Sequence, residues 1–294
     1  MRIVAPIALC VLLASCSQAP PAPPAQNASP DVAELALIDI PLAPDQPASA
    51  PEQANETAKP DFDAIAARGY IRVLVSPSGT YFETVDGRHH GRAVDVGVAL
   101  AKAIGQRTGT VVTAVFIPTP EHELIPKLLA GGGDVAANLL LSFERDDQVA
   151  FAPPIKTGIR ELVVTGTAKS LVSLEDVGGR EIHVRPGTDH LASLQRLNSQ
   201  LKSINRPPAR IVIDREKKTD EGLLSAVNSG SVPATIVDDY IFDLWKDQFP
   251  KTAANRDVAV SQDGSLSWVC RKDAPQLVVF LREFFTTHRI KLFL

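Results

Sequence analysis

The sequence contains few residues that carry out covalent or redox chemistry. Its 294 residues include three cysteines, one methionine and two tryptophans, and aromatic residues make up 5% of the chain. The patterns H-E-x-x-H, G-x-S-x-G and G-x-x-x-x-G-K-[S/T] are all absent. The sequence therefore predicts no zinc protease, serine hydrolase or nucleotide phosphate loop. We expect no enzyme activity, and neither a metal ion nor another cofactor.

The longest apolar run stands at the N-terminus. Arg2 precedes apolar residues from Ile3 to Leu13, a run that is too short for a membrane span and is typical of a secretory signal. The segment Leu13-Ala14-Ser15-Cys16 resembles a bacterial lipobox, whose cleavage would leave Cys16 as an acylated first residue. An ordinary cleaved signal with a coincidental cysteine is the alternative. Ser17, the residue after the cysteine, favours a lipid anchor in the outer membrane.

Export to the periplasm limits the chemistry further, because ATP and NAD are not supplied there. Cys10 would leave with the signal and Cys16 would be lipidated, so that Cys270 would have no partner for an intramolecular disulfide. Cys270 lies in the apolar segment LSWVC, which predicts a small buried hydrophobic residue.

Residues 17–60 differ sharply in composition from the rest of the chain. They hold ten of the 23 prolines and no aromatic residue, so they cannot bury enough apolar surface to offset their ordering entropy. We expect 16–60 to be a lipidated cysteine with a disordered tether, after a signal peptide of residues 1–15. The apolar piece Val32–Ile40 could dock a partner, although transient local collapse is the simpler expectation.

The charge balance gives no reason to expect nucleic acid as a partner. The stretch 17–60 contains six acidic residues and one lysine, and the remaining residues 61–294 have no net formal charge and no lysine or arginine cluster. Without a basic patch there is no electrostatic case for nucleic acid or for an anionic membrane surface.

Strands and helices alternate through residues 61–294, which predicts an α/β fold with mostly parallel sheets covered on both faces. Asp61 and Gly69 are expected to begin and end a first helix, and Asp86-Gly87 predicts a hairpin. The predicted strands are 71–76, 111–117, 135–140, 181–184, 211–214 and 234–237, and the predicted helices are 95–107, 120–130, 189–201, 219–228 and 275–285. One or two further strands are expected after Val258. Ligands of such folds lie beyond the carboxyl ends of the strands.

Four segments appear in an order and spacing that resemble the family 3 periplasmic solute-binding proteins. They are AIAARGYIRVLVSPSGTYFETVDGRHHGRAVDV, LLAGGGDVAANLLLSFERDDQVAFAPP, ATIVDD and SLSWVCRKDAPQLVVFLREFF. Ser76-Pro77 with Thr80-Tyr81-Phe82, together with the segment around Trp268, resembles most closely the N-terminal, non-catalytic domain of membrane-bound lytic murein transglycosylase F. The resemblance implies a two-lobed clamp joined by two hinge strands, with lobe 1 at 61–157 plus 258–294 and lobe 2 at 158–257. It also implies a small zwitterionic or peptide ligand.

The resemblance also assigns ligand-binding residues. Tyr81 and Phe82 match the aromatic pair of the first lobe, and one of them is expected to point into the core. Ser142 and Arg145 match the residues that bind a ligand carboxylate, for which a guanidinium is suited; an ordinary surface ion pair is the alternative for Arg145.

In the second lobe, Thr188 matches a residue that presents N–H groups to an anion, with plain helix capping as the alternative. Asp238 matches the acid that receives an ammonium group. Asp239 beside it could cap the next helix, and the opposite assignment of the two roles stays open.

Two departures from the family pattern matter. Leu140 stands where a hydroxyl residue is usual, and the chain stops before the expected closing helix, with no Glu-Ser dipeptide of the lytic type. We therefore expect a lipid-anchored periplasmic sensor whose partner is a murein hydrolase. The alternatives are the receptor of an ABC permease for amino acids and a truncated lytic enzyme.

His89-His90 and Glu121-His122-Glu123 lack metal-ligand spacing and are expected to be solvated.

Overall fold

The structure is a computed structural model that describes residues 38–40, 46–47, 56–140, 147–167, 171–214, 216 and 219–289. Its strands are β1 Ile38–Asp39, β2 Gln46–Pro47, β3 Tyr70–Val75, β4 Glu83–Val85, β5 Arg88–His90, β6 Thr113–Pro118, β7 Val135–Leu140, β8 Val149–Phe151, β9 Lys156–Gly166, β10 Glu181–Val184, β11 Arg210–Ile213, β12 Ala234–Asp238, β13 Thr252–Arg271 and β14 His288–Arg289. Its α-helices are α1 Phe62–Arg68, α2 Arg92–Thr108, α3 Leu124–Ala130, α4 Asp189–Ser203, α5 Asp220–Ser229, α6 Asp239–Trp245 and α7 Pro275–Thr287. Short 3-10 helices occupy Glu121–Glu123 and Leu174–Val177.

Two long strands connect the two halves of the molecule. The main sheet has the order β11-β10-β12-β9-β13-β7-β3-β6, and β8 also pairs with β13. Strands β3, β6 and β7 are parallel to one another, as are β10, β11 and β12, whereas β9 and β13 run antiparallel to their neighbours. We call α1 to β8 together with α7 the first lobe, and β10 to α6 the second lobe. The predicted fold class, a two-lobed α/β clamp with two connecting strands, is confirmed.

Each lobe buries its apolar side chains on both faces of its strands. In the first lobe, α1, α2 and α7 cover one face and α3 covers the other. In the second lobe, α4 covers one face, while α5 and α6 pack on the other. Helices on both faces are what parallel strands require, because neither face of such a sheet is left to water. Within the first of these cores, Cys270 is 1% exposed, and the prediction of a small buried hydrophobic residue is confirmed.

Local signals explain where the elements begin and end. The Asp61 carboxylate accepts a hydrogen bond from Phe62 N at 2.8 Å, and Gly69 ends α1 in the left-handed region at φ 80°. The hairpin turn at Asp86 and Gly87 has φ 50° and φ 71°, as a two-residue turn between antiparallel strands requires. The predicted helices and strands are therefore found within a few residues of their expected limits.

Part of the predicted tether is ordered against the first lobe, and that part of the expectation is wrong. Ile38–Asp39 pairs in parallel with His288–Arg289, and Ile40 is buried in the first-lobe core. Gln46–Pro47 pairs with β5. Residues 38–40, the described end of the apolar piece, thus dock on the first lobe, because strand pairing satisfies their backbone while Ile40 leaves water.

Two buried arginines hold the chain just before α1. Arg72 donates to the carbonyl oxygens of Glu56 at 2.6 Å and Ala58 at 2.8 Å, and it is paired with Asp134 at 2.8 Å. Arg271 donates to Pro60 O at 2.8 Å. These charge-assisted hydrogen bonds compensate the burial of the guanidinium groups and fix residues 56–60 to the first lobe. Across the described part of the chain, no helix has the length and apolar character needed to cross a bilayer.

Candidate functional site

A cleft lies between the lobes at the carboxyl ends of four strands. Ser76 follows β3, Leu140 ends β7, Arg185 follows β10 and Asp238 ends β12, and all four residues line the cleft. Its volume is about 70 Å³, which is small beside the roughly 300–1,000 Å³ of pockets that enclose small-molecule ligands. The described clamp is therefore closed, with side chains of the two lobes in contact across the cleft.

Arg185 is the central cation of the cleft. Its Nη2 lies 3.1 Å from Glu121 Oε2 of the first lobe, and its Nε lies 3.0 Å from Asp220 Oδ1 of the second. Burial would lower the pKa of Arg185, but Asp220 and Glu121 outweigh burial and raise it. Burial raises the pKa of Glu121, against the opposing effect of Arg185. Arg185 thus joins the two lobes by charge-assisted hydrogen bonds in a place that water reaches poorly.

His190 is a second buried cation. Its Nε2 lies 3.2 Å from Asp238 Oδ1, and its Nδ1 lies 3.8 Å from Asp220 Oδ1. Burial would lower its pKa, but the hydrogen bond to Asp238 and the charges of Asp220, Asp238 and Glu161 raise it to about 10. His190 is therefore protonated at neutral pH, and both of its ring nitrogens are donors.

Further hydrogen bonds cross from one lobe to the other. The hydroxyl groups of Tyr81 and Tyr240 lie 2.7 Å apart. Glu221 Oε1 accepts from Thr80 Oγ1 at 2.7 Å, and Trp245 Nε1 donates to the same hydroxyl at 2.9 Å. Burial raises the pKa of both tyrosines, so that their hydroxyls stay protonated and able to donate. Together these contacts hold the clamp closed along one side of the cleft.

The charges that line the cleft do not balance. Among the described residues, four carboxylates face two cations there: Glu121, Asp189, Asp220 and Asp238 against Arg185 and His190. An excess of carboxylate in a poorly hydrated cleft attracts a cationic group, such as the ammonium of an amino acid.

The structure places the predicted site residues unequally. Tyr81 and Asp238 line the cleft, whereas Phe82 lies in the first-lobe core beside Phe116, with ring centroids 6.0 Å apart. Of this adjacent pair, therefore, one side chain lines the cleft and the other lies in the core, and Tyr81 itself lies in a turn rather than in a strand. Thr188 is not among the lining residues; its hydroxyl accepts from Leu191 N at 3.4 Å and caps α4. Ser142, Arg145 and Cys16 lie outside the described residues.

The two neighbouring aspartates have different surroundings. Asp238 faces the cleft and His190, while Asp239 is the first residue of α6, and its carboxylate accepts from Tyr240 N at 2.9 Å. Asp239 also pairs with Arg160 at 3.3 Å. The geometry therefore puts Asp238 at the cleft and Asp239 at the start of the helix.

Of the residues that were expected to be solvated, His89 is buried and Glu121 is only partly exposed, and that expectation is wrong for them. His89 is buried against the Phe82 and Phe116 rings, with centroids 4.9 and 5.7 Å away. The Glu121 carboxylate is turned into the cleft, where Arg185 attracts it. Within the described ranges, no group of three His, Cys, Asp or Glu side chains is arranged to hold a metal ion.

Four cleft residues were not predicted from the sequence, namely Arg185, His190, Asp220 and Glu121. A signal existed for Arg185, because it directly follows a predicted strand whose carboxyl end should face the ligand. Asp220 begins the helix after the next strand, so its position also indicated the end of the sheet where ligands bind. No local sequence feature indicated His190 and Glu121, because their environment comes from residues that are distant in sequence.

Comparison with known proteins agrees with this geometry. Residues 71–288 match the bacterial extracellular solute-binding proteins, family 3. Membrane-bound lytic murein transglycosylase F of Maricaulis maris is 29% identical over 210 residues, which are 69% of this chain and 42% of that protein. The protein of the same name from Citrobacter koseri is 26% identical over 226 residues, covering 76% of this chain and 42% of the relative. The chain thus spans about two fifths of the length of these curated relatives.

Solved structures share the fold at low sequence identity. A mutant of ArgBP from T. maritima has a TM-score of 0.62 and 20% identity, over 76% of this chain and 91% of that one. The ancestral amino acid-binding protein AncCDT-1 has a TM-score of 0.62 and 23% identity, over 76% and 91%. AbpA from Streptococcus pneumoniae, an amino acid ABC transporter substrate-binding protein bound to L-arginine, has a TM-score of 0.60 and 19% identity, over 76% and 90%. The chain belongs to the bacterial extracellular solute-binding proteins, family 3.

Proposed function

We propose that this protein is a lipid-anchored periplasmic sensor that binds an amino acid or a peptide derived from peptidoglycan and does no covalent chemistry itself. The observation that carries the proposal is the charged cleft, to which both lobes contribute ionised side chains at strand carboxyl ends. A ligand held there contacts both lobes at once, so that its binding energy is coupled to closure of the clamp.

The ligand is recognised through its charges. Asp238 and the carboxylate excess around it receive an ammonium group, with the Tyr81 ring as part of the wall. Arg145 binds the ligand carboxylate, with Ser142 as a further donor, because a guanidinium forms two parallel hydrogen bonds with a carboxylate. Both residues follow closely on Leu140, which lines the cleft.

The similarity to the murein transglycosylases supports a ligand from peptidoglycan. The chain matches less than half of each of those proteins, so the regulation of a murein hydrolase by this domain is part of the proposal. The lipobox-like segment that ends at Cys16 supports anchoring by lipid, with Ser17 favouring the outer membrane.

A ligand screen tests the proposal. The full-length protein in detergent is melted with free amino acids and with murein stem peptides, each at increasing concentration. A ligand at a hundred times its dissociation constant should raise the free energy of unfolding by about 2.7 kcal/mol. A melting temperature that no amino acid and no stem peptide changes would overturn the proposal.

Delivery of an amino acid to an ABC permease is the second candidate function. It is favoured by the likeness in fold to AbpA, described as the substrate-binding protein of an amino acid ABC transporter. Uptake of the radiolabelled ligand by cells with and without the gene distinguishes the two. Loss of uptake supports the receptor, and unchanged uptake with altered release of murein fragments supports the sensor.

A further inference from the structure

A groove continues the cleft at its rim. The groove has a volume of about 490 Å³ and shares Pro77 and Ser78 with the cleft. The start of α5 contributes Asp220 to the cleft and Glu221 to the groove. This volume lies in the range of pockets that hold small ligands, whereas the volume of the closed cleft lies below that range.

The groove is lined by carboxylates without opposing cations. Glu83 of the first lobe and Glu221 of the second both line it. Among the described residues, no lysine, arginine or histidine lines the same groove. The charge of this surface is therefore complementary to a cation.

One carboxylate oxygen in the groove has an unused capacity to accept a hydrogen bond. Glu221 is 6% exposed, and its Oε1 accepts from Ser78 Oγ at 3.0 Å, Thr80 N at 3.1 Å and Thr80 Oγ1 at 2.7 Å. Its Oε2 is buried and has no hydrogen-bond partner within the described part of the chain. A buried polar oxygen without a donor is costly, so a donor that arrives through the groove is favoured.

An indole ring forms one wall of the groove. Trp245 is held by its hydrogen bond to Thr80 and by stacking on Phe249, with centroids 6.1 Å apart and an angle of 17° between the rings. Gly79 keeps the space beside the ring free, since a Cβ atom there would lie 3.1 Å from Trp245 Cζ2 and 3.6 Å from Glu221 Cδ. The face of an indole attracts an ammonium group more strongly than the other aromatic side chains do.

We propose that this groove is a second subsite, which takes the ammonium group of a peptide residue beyond the one held in the cleft. The inference rests on the proposed function and deepens it, because it makes the ligand a peptide of at least two residues with an amine in its extension. Glu221 Oε2 accepts a hydrogen bond from that amine, and Glu83 adds negative charge at the rim. The face of the Trp245 ring lies against the amine.

Calorimetry on the full-length protein tests the subsite with three probes. They are L-alanine, the murein stem tripeptide that ends in diaminopimelate, and the same tripeptide acetylated on its side-chain amine. The free tripeptide should bind at least tenfold more tightly than the acetylated one. In Glu221→Gln, which keeps the size and one acceptor oxygen of the side chain, this ratio should fall below about threefold.

A control and a second variant keep the result interpretable. Asp243→Asn changes an exposed carboxylate on the same helix as Trp245, outside the groove, and should leave the tenfold ratio unchanged. Glu83→Lys puts a cation on the exposed rim and should weaken the tripeptide at least fivefold without affecting L-alanine. Thermal melting of each variant confirms that it is folded.

The possible failures are distinguishable. If wild type binds the free and acetylated tripeptides equally, the subsite is overturned while the proposed function stands. The same conclusion holds if Glu221→Gln preserves the tenfold ratio. If wild type binds none of the three probes and no other amino acid or stem peptide, both the subsite and the proposed function are overturned.

Discussion

His190 shows how a single residue sets the charge of the cleft. Its imidazole is buried between Asp238 and Asp220, with Glu161 nearby, and these carboxylates raise its pKa to about 10. The cation in turn neutralises part of the carboxylate excess. In the proposed complex, a ligand ammonium at Asp238 would share this carboxylate with the protonated His190.

The raised pKa of His190 predicts a specific dependence of stability on pH. The unfolded imidazole titrates near 6.5, so the stabilisation is fully present below that pH and is lost as pH rises through about 10. The contribution is at most about 5 kcal/mol. Denaturant unfolding at several pH values between 6 and 10.5 should show this loss in wild type and a flatter profile in His190→Gln. His122→Gln, a change at a half-exposed histidine, should retain the wild-type slope; a flat profile in that control would contradict the assignment.

The proposed ligand contacts of Asp238 and Arg145 predict a large loss of affinity when either side chain is changed. Asp238→Asn and Arg145→Ala should each weaken the best ligand of the screen roughly thirty-fold to several-thousand-fold, since breaking a desolvated charge pair costs about 2 to 5 kcal/mol. Asparagine is preferred to alanine at position 238 because it keeps a hydrogen-bond acceptor for His190. Calorimetry measures both affinities.

Asp239→Ala is the matched control for these variants. Its carboxylate serves the start of α6 and pairs with Arg160, so its loss should change affinity by less than about 1 kcal/mol. If Asp239→Ala abolishes binding and Asp238→Asn does not, the ligand-binding acid is the other aspartate. If Arg145→Ala binds normally, the assigned carboxylate site is wrong.

At the scale of elements, one ion pair connects the 3-10 helix Glu121–Glu123 of the first lobe to the residue that follows β10 in the second. We call this pair of Glu121 with Arg185 the latch. Glu121→Gln should weaken the latch by about 1 to 2 kcal/mol, because Arg185 keeps its pairing with Asp220. The open population should rise, which X-ray scattering detects as a larger radius of gyration. Glu123→Gln, an exposed neighbour on the same turn, should leave the scattering unchanged. Equal scattering curves for wild type and Glu121→Gln would contradict the latch.

The limits of the elements could be predicted because their signals are local. The aspartate and glycine caps of α1, the turn at Asp86-Gly87 and the alternation of strand and helix all lie within a few residues of the elements they define. By contrast, the pairing of Ile38–Asp39 with His288–Arg289 joins the two ends of the domain. No local pattern encodes that contact, because the stabilisation comes from a partner strand some 250 residues away.

Two of the predicted site residues line the cleft: Asp238, which closes a clear strand, and Tyr81, which the resemblance to the family indicated. By contrast, the contact of Arg185 with Glu121 joins residues 64 positions apart. The single strand β13, 20 residues long, was expected as one or two strands, because its irregular register with β9 interrupts the alternation of buried side chains. The length of β13 thus depends on its pairing with β9, which the local pattern of apolar residues does not reveal.

At the scale of the whole molecule, the proposed lipid anchor would have to leave the clamp free to close. The pieces Ile38–Ile40 and Glu56–Pro60 are fixed to the first lobe. The second lobe is held to the first by β9, β13 and the contacts across the cleft. An anchor that precedes residue 38 would then act on the first lobe, and ligand-driven closure would move the second lobe relative to the membrane.

The lipobox-like segment predicts how the protein is held at the membrane. Full-length protein expressed in a bacterial host should partition into the detergent phase and carry the added mass of acyl chains. The proposed lipidation at Cys16 would supply more than one chain, whereas a single chain gives only reversible binding. Cys16→Ala should partition into the aqueous phase without that mass. Cys270→Ala is the control, since this buried thiol, whose pKa burial raises to about 12, should not affect partitioning. Mass spectrometry of both phases decides the matter, and equal aqueous partitioning of wild type and Cys16→Ala would remove the lipid anchor from the proposed function.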